Sequence, residues 1–181
     1  VTSLSSYAIQ SGDNFKIIQA IEGYNVFDLA WGTANAKTVT LSFWVYSSLT
    51  GTFGGALNNG AEIRSYGFTY TINSANTWEQ KTITIPGPTS GTWVTNSGLG
   101  IGVIFQLQIG SSYTATPNSW TSSGVYGSTG CVNLLNTNGA TWYVTGVQLE
   151  SGTAATQYEN LSYGVQLLQC QRYFQKFVEV V

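Results

Sequence analysis

The 181-residue chain has no histidine, no methionine, three prolines and two cysteines. Without histidine it cannot form a Ser-His-Asp triad, a Cys-His dyad or a histidine-ligated metal centre. Two cysteines cannot make a four-cysteine zinc site, and no phosphate-binding glycine motif follows a strand. We therefore predict a protein that is not an enzyme, with no catalytic residues, no metal and no cofactor.

Charge is also scarce: only 8% of the residues are charged, and the net charge is −2. The cations are scattered along the chain: Lys16, Lys37, Arg64, Lys81, Arg172 and Lys176. Nucleic-acid binding needs clustered cations that displace counterions, so we exclude it. No apolar run approaches the roughly 20 residues that cross a bilayer, so no membrane insertion is expected. Salt screens interactions between charges but hardly affects those of uncharged polar groups. A surface built from such groups suits an extracellular or particle-borne protein.

The ends of the chain and its cysteines add two expectations. A start at Val1 with no methionine and no secretory signal indicates a fragment or a processed product. Cys131 and Cys170 could form one disulfide, but a domain of this length does not need one. Two buried, unpaired thiols are the favoured interpretation.

Period-two alternation of apolar and polar residues predicts strands at 39–46, 78–85, 101–109 and 141–149. Weaker candidates lie at 4–10, 15–21, 51–57 and 62–72. Clusters of Gly, Asn, Ser and Pro separate these segments. Many short strands at this spacing predict an all-β fold, an antiparallel β-sandwich of the jelly-roll type.

One helix signal occurs near the C-terminus, where Ser162 could cap a helix and Val165 and Leu168 have helical spacing. We predict a short helix that leads into a terminal strand. The apolar residues 177–181 are expected to pair with a strand of this chain or of a neighbour. The chain is predicted to be one domain, 1–181, with the sandwich at about 1–160 and an extension at 161–181.

A glycosidase needs only two carboxylates, about 5 to 9.5 Å apart, so histidine-free catalysis of this kind has to be weighed. Glu22 and Asp28 form the only tight pair of acids among the probable strands and loops. Nothing in their neighbourhood indicates a shifted pKa, and exposed, solvated carboxylates are the favoured interpretation.

Outward-facing aromatic and amide side chains suggest a binding surface. If Phe43 and its apolar neighbours face the core, then Trp44 and Tyr46 face outward. The same argument turns Gln106 and Gln108 outward. Aromatic rings can cover the flat faces of sugars, and Gln can both donate to and accept from their hydroxyls. The alternative is that loops or a neighbouring subunit cover these aromatics.

The segment 110–130 is too long for a hairpin turn and contains Tyr113, Trp120 and Tyr126. Loops of this length tend to carry function, which makes Trp120 and Tyr126 further candidates for glycan contact. The alternative is that its aromatic residues pin the loop onto the sandwich.

Several stretches resemble a known family. They are VTLSFWVYSS at 39–48, TWEQKTITIP at 77–86, ATWYVTGVQLE at 140–150 and CQRYF at 170–174. Their order, and most specifically GVQLE followed by CQRYF, resembles the jelly-roll domain of bacteriophage tail fibres and related virion proteins. The resemblance spans about residues 17–174, and the strands are more distantly similar to carbohydrate-binding jelly rolls.

This resemblance implies an extracellular virion appendage, usually a homotrimer, that contacts other tail proteins and a host-surface glycan. It transfers no catalytic residue. Sugar-binding modules of this shape often hold a structural calcium, but only Glu150 matches such a ligand, so no metal is predicted. Relatives often continue beyond CQRYF, so a tip domain is expected to be missing or replaced.

Two other functions stay open. One is a purely structural spacer or adaptor whose outward aromatics are buried against other virion subunits. The other is a carbohydrate-binding module from a secreted enzyme, which would typically be a monomer.

Overall fold

The computed structural model describes residues 1–174 and 176, and its strands are numbered in chain order. They are β1 (Asn14–Glu22), β2 (Val39–Ser47), β3 (Gly51–Asn59), β4 (Ser65–Ile72), β5 (Glu79–Ile85), β6 (Leu99–Ile109), β7 (Thr114–Ala115), β8 (Trp120–Thr121), β9 (Gly127–Ser128) and β10 (Trp142–Ser151). A single α-helix, α1 (Tyr163–Gln171), follows them in the described part of the chain.

The main strands form two antiparallel sheets. One has five strands in the order β1-β6-β3-β4-β8, and the other has three in the order β10-β2-β5. The predicted all-β antiparallel sandwich with a short C-terminal helix is therefore confirmed. The predicted strand at 4–10 is wrong, because Ser3 and Tyr7 bond instead to the backbone of Ala140 and Leu135 in a loop.

The core lies between the two sheets and is rich in aromatic rings. Phe43 of β2 has its ring centroid 5.0 Å from that of Tyr70 and 5.1 Å from that of Phe105. Trp142 of β10 packs on Phe105 and donates its indole N–H to the Tyr70 hydroxyl at 3.2 Å. Edge-to-face contacts of this kind join the sheets and confirm that the Phe43 side of β2 faces inward.

The outer faces of the two sheets differ. The long segment after β6 folds back over the five-stranded sheet, where β7 and β9 pair in parallel. Within the described part of the chain, the segment after β10 lies along one side of the outer face of the three-stranded sheet, where Thr40 donates to the carbonyl of Gly152 at 2.8 Å. Trp44 and Tyr143 on this face are exposed to solvent.

Helix α1 has no buried residue, and Ser162 occupies its N-cap position without a side-chain capping bond. Among the described residues no helix has the length and apolar character needed to cross a membrane. Cys131 and Cys170 are free thiols, but Cys131 is half-buried and Cys170 is exposed, which corrects the expectation that both are buried. The predicted terminal strand at 177–181 lies outside the described residues.

Candidate functional site

The six residues expected to contact a glycan lie in three separate places. Trp44 and Tyr46 are on the outer face of the three-stranded sheet, Gln106, Gln108 and Tyr126 are over the outer face of the five-stranded sheet, and Trp120 is in the edge strand β8. The outer faces of two packed sheets point in opposite directions. The expectation that these six residues form one site is therefore wrong.

Gln106 and Gln108 do alternate outward from β6, but they are buried rather than exposed. Gln106 Oε1 accepts the backbone N–H of Ser128 at 2.9 Å. Gln108 accepts the N–H of Leu135 at 3.0 Å and donates to Asn136 at 3.0 Å. The two side-chain amides bond backbone N–H groups of the long segment after β6, which would otherwise lack partners. Both glutamines therefore hold that segment onto the sheet, and their amides are not available to a sugar.

Trp120 belongs to a cluster of three indoles. Its ring centroid lies 5.5 Å from that of Trp31 and 5.7 Å from that of Trp93, and it also packs on Tyr66. Its N–H donates to the carbonyl of Pro86 at 2.7 Å. These contacts tie β8 to the segment after β5, which gives Trp120 a structural role.

Tyr126 is half-buried and fully engaged by its neighbours. Its hydroxyl donates to Glu62 at 2.7 Å, and the ammonium of Lys16 lies 3.1 Å from its ring centroid. The ring of Tyr113 packs beside it, with centroids 5.0 Å apart. The hydrogen bond to Glu62, assisted by burial, raises the pKa of Tyr126 to about 12. These contacts support the alternative that the loop's aromatics pin it to the sandwich.

The outer face of the three-stranded sheet carries a larger aromatic group than the sequence indicated. We call Trp44, Tyr46, Trp78, Tyr143 and Tyr158 the aromatic face. The exposed fractions are 41% for Trp44, 45% for Trp78, 43% for Tyr143 and 48% for Tyr158. Tyr46 lies between, with its ring centroid 5.6 Å from those of Trp78 and Tyr143. Trp78, Tyr46 and Tyr143 are in ring contact, and Trp44 and Tyr158 are exposed on the same side of the sheet, beside Gly146.

A β-bulge shapes the middle of the aromatic face. The pairing of β10 with β2 shifts between Thr145 and Gln148, and Gly146 has a left-handed φ of 57°. A Cβ at Gly146 would lie 3.5 Å from Trp44 and 3.9 Å from Tyr158. Glycine satisfies the left-handed conformation and leaves a gap between the two rings.

The segment after β10 is fixed beside the aromatic face by two side chains of that strand. Gln148 accepts the backbone N–H of Glu159 at 3.0 Å and donates to Thr156 at 3.1 Å. Glu150 accepts the backbone N–H of Thr156 at 3.1 Å and a bond from Gln148. The Gln148 bond, with those from Thr156, holds the pKa of Glu150 below its usual value. This network places Tyr158 beside Gly146.

The opposite side of the aromatic face is held by a turn between β4 and β5. Glu79 accepts backbone N–H groups of Asn73 at 2.9 Å and Ser74 at 2.8 Å, and Lys81 lies 2.6 Å away. The bond from Lys81 and those from the turn lower the pKa of Glu79 to about 2. Tyr46 bonds the same turn by donating to Asn76 at 3.2 Å. The turn that leads to Trp78 is therefore anchored at several points.

Tryptophan N–H groups divide into two classes. Four of the six are bonded inside the fold: Trp31 to Lys37, Trp93 to Ser90, Trp120 to Pro86 and Trp142 to Tyr70. The other two, on Trp44 and Trp78, have no protein acceptor among the described residues, and both rings are exposed. Unlike the other four, these two donors are available to a ligand.

The acids considered for hydrolysis have other partners. Glu22 lies 3.1 Å from Arg172 of the segment after α1, and Asp28 lies 3.9 Å from Lys37. Each carboxylate therefore pairs with a different cation, which gives no support to a catalytic pair. No group of three or more His, Cys, Asp or Glu residues that could hold a metal occurs in the described part of the chain.

Three members of the aromatic face were not predicted from the sequence. Trp78 precedes β5, and its approach to Tyr46 depends on the turn before that strand. Strict alternation along 141–149 predicts that Tyr143 and Leu149 lie on the same side of the strand, but the bulge at Gly146 separates them, and Leu149 pairs with the inward Leu41. Glycine inside a strand is a bulge signal that could have revealed this change. Tyr158 had no local signal.

No family model matches the chain, and no curated protein matches it. A solved structure of a carbohydrate-binding module, described as "CBM4 structure and function", aligns with a TM-score of 0.41 and 14% sequence identity. The alignment covers 78% of this chain and 78% of that one. A likeness of this degree carries no argument, so the proposals below depend on the residues of the site.

Proposed function

We propose that the aromatic face binds a carbohydrate, and that the domain is part of a bacteriophage tail fibre that attaches to glycans on the host surface. The first part is supported by the contents of the face. The second, which places the protein outside the cell on a virion beside other tail proteins, is supported by the sequence resemblance. The domain is proposed to act by binding, without catalysis.

The observation that carries the binding proposal is the free, exposed state of Trp44 and Trp78. The other four indole N–H groups donate to protein acceptors. Within the described part of the chain, Trp44 and Trp78 differ from them in having a free N–H group on an exposed ring. Large exposed apolar rings that form one patch are uncommon unless something binds them. Ring faces that take the C–H side of a sugar, with nearby donors for its hydroxyls, suit a carbohydrate.

A shallow, solvent-open face is expected to bind weakly, because each sugar hydroxyl gives up water for the bond it gains. A dissociation constant near 1 mM corresponds to only about −4 kcal/mol. Several copies on one fibre would raise the avidity through effective concentration. Binding is therefore best measured with clustered domains as well as with the domain alone.

The experiment is affinity electrophoresis in gels that contain neutral or acidic polysaccharides, followed by adsorption of domain-coated beads to host cells. At least one polysaccharide should retard the native domain. Trp44→Ala and Trp78→Ala should each weaken that binding at least tenfold, or about 1.4 kcal/mol, without changing thermal stability. The control is Phe27→Ala, which removes an exposed ring elsewhere and should leave binding unchanged.

The same incubations should release no reducing ends. If no polysaccharide and no host cell binds the native domain, the proposal is wrong and the spacer function is favoured. A Trp44→Ala, Trp78→Ala double variant that binds normally would remove the aromatic face from consideration.

We also propose that the domain is a homotrimer. Helix α1 has no charged residue and exposes Tyr163 and Leu168, and Phe174 just beyond it is exposed as well. Three copies related by a cyclic axis could cover these side chains mutually. The ion pair of Arg172 with Glu22 places the end of this region beside β1, in the sheet opposite the aromatic face. Such an assembly would leave the aromatic face free.

A further inference from the structure

The outer side of the three-stranded sheet, around the aromatic face, has almost no charge, and the charge it has is negative. The outward side chains of its three strands are uncharged except for Glu150; the others are Thr40, Ser42, Trp44, Tyr46, Gln80, Thr82, Thr84, Tyr143, Thr145 and Gln148. The flanking segment 152–159 adds the exposed Glu159, and the turn 73–78 adds no charge. No lysine or arginine occurs in any of these positions.

The cation closest in sequence points the other way. Lys81 pairs across the strands with the inward Phe43, and its ammonium contacts Glu79 at 2.6 Å. It is therefore on the core side of β5 and already has a carboxylate partner. Proteins usually hold carboxylate, sulfate or phosphate groups with arginine or lysine, or with helix N-termini. The outward strand positions, the turn 73–78 and the segment 152–159 contain no lysine or arginine.

An acidic sugar would instead meet like charge. Glu150 stays ionised because Gln148 and Thr156 donate to its carboxylate, and this lowers its pKa. Like charges about 4 Å apart repel by about 1 kcal/mol even in water, and by more near a protein surface. Glu150 pairs with Thr40, two outward positions from Trp44, so an acidic group that reaches this end of the sheet meets like charge.

Neutral donors and acceptors are available beside the rings. Gln80 and Thr145 flank Trp44 on the neighbouring strands, and Thr82 follows one position further along. Among the described residues these three side chains make no hydrogen bond to the protein, and Gln80 and Thr82 are exposed. Together with the free indole N–H groups they match hydroxyls, which both donate and accept.

The area of the aromatic face exceeds that of one sugar ring. Trp78, Tyr46 and Tyr143 form a row with successive centroids 5.6 Å apart. Trp44 lies two residues further along β2, roughly 7 Å away by strand geometry. A single pyranose covers about one aromatic ring, so several linked sugars are needed to cover this surface.

We infer that the aromatic face selects an uncharged glycan and binds it as a segment of two or more linked sugars. This inference rests on the proposed carbohydrate-binding function and adds the class of glycan to it. Acidic polysaccharides, which bear uronate, sulfate or phosphate groups, are disfavoured. Because no ion pair contributes, binding should be nearly independent of salt.

The test compares polysaccharides that share a backbone and differ only in charge. The neutral polysaccharide that binds is oxidised at its primary hydroxyls to carboxylates, or sulfated, and both forms are titrated by calorimetry. The charged form should bind at least tenfold more weakly, and affinity for the neutral form should change less than twofold between 50 and 500 mM NaCl. Affinity for oligosaccharides of the same backbone should rise at least tenfold from one sugar to three.

Gln80→Lys and Glu159→Lys supply the missing cations and should each strengthen binding of the charged form in a salt-sensitive way. Trp44-dependent binding that is as tight or tighter for the charged form would overturn the inference and leave the proposed function standing. A monosaccharide that binds as tightly as the trisaccharide would overturn the part about length. Binding that does not depend on Trp44 would contradict the proposed function itself.

Discussion

The outward residues of β2 change from buried to exposed along the strand. Thr40, near the start, is fully buried, and its hydroxyl donates to the carbonyl of Gly152 at 2.8 Å. Trp44, two outward positions further on, is 41% exposed. Thr40 bonds to the segment after β10, whereas the indole of Trp44 stays open to solvent. Alternation decides which side a residue is on, but another segment decides whether water reaches it.

This difference predicts unequal costs for substitutions on the two sides of β2. Phe43→Ala should destabilise the domain by about 3 to 5 kcal/mol, because it removes a buried ring between the sheets. The alternation places Thr40 outward and would predict little cost for Thr40→Ala. The structure instead predicts about 1 kcal/mol, the usual net contribution of a hydrogen bond, since the bond from Thr40 to the half-buried carbonyl of Gly152 is lost. Urea unfolding measures both free energies.

The matched control is Thr82→Ala, an exposed threonine on the same side of the same sheet. It should change the free energy of unfolding by no more than about 0.5 kcal/mol. Equal costs for Thr40→Ala and Thr82→Ala would show that the contact with Gly152 contributes nothing.

At the scale of the element, the segment that covers the five-stranded sheet depends on side-chain amides. Gln106→Met keeps the length of the side chain but removes the acceptor for Ser128. We expect a loss of about 1 to 3 kcal/mol, as for a buried N–H left without a partner, and faster amide exchange at Ser128. Gln80→Met, at an exposed position, should change neither quantity. Unchanged exchange at Ser128 would mean that Gln106 does not anchor the segment.

The turn between β4 and β5 gives a prediction that depends on pH. The pKa of Glu79 is about 2 in the folded protein, against an ordinary value of 4.5, so its bonds stabilise the folded state fully above about pH 4.5. That contribution is lost as the pH falls from 4.5 toward 2. The difference in urea midpoint between the native protein and Glu79→Gln should therefore shrink between pH 6 and pH 2. A constant difference would contradict this.

Strand patterns in the sequence were sufficient to predict most elements of the fold. Apolar and polar residues alternate strongly along β2, β5, β6 and β10, because one side of each strand packs into the same core. These patterns were insufficient for the site for two physical reasons. A bulge such as that at Gly146 reverses the side on which later residues of a strand lie, so Tyr143 and Leu149 separate. The positions of Tyr158 and Trp78 depend on loops held by Glu150 and Glu79, and such tertiary bonds leave no periodic signal.

At the scale of the whole molecule, the exposed apolar residues include the aromatic face and the side chains of α1, besides other positions such as Leu4 and Phe27. If α1 is the assembly surface, light scattering on the purified domain should give three times the chain mass of 19.5 kDa. Leu168→Lys, at a 70% exposed position, should shift the protein toward the monomer because three copies would bury like charges together.

Phe27→Lys, which adds the same charge at another exposed apolar position, should keep the native mass. A native domain that is monomeric at micromolar concentration would contradict the trimer. It would also favour a carbohydrate-binding module of a secreted enzyme over a fibre domain.

The division of the tryptophans into bonded and free indoles also makes the protein its own optical probe. Trp31 and Trp142 are buried and Trp93 and Trp120 are half-buried, so collisional quenchers such as acrylamide should act most strongly on the emission of the exposed Trp44 and Trp78. A ligand on the aromatic face would shield just that quenchable fraction and shift its emission to shorter wavelength. The unlabelled native chain can therefore report, by its own fluorescence, both that something has bound and on which face of the sandwich.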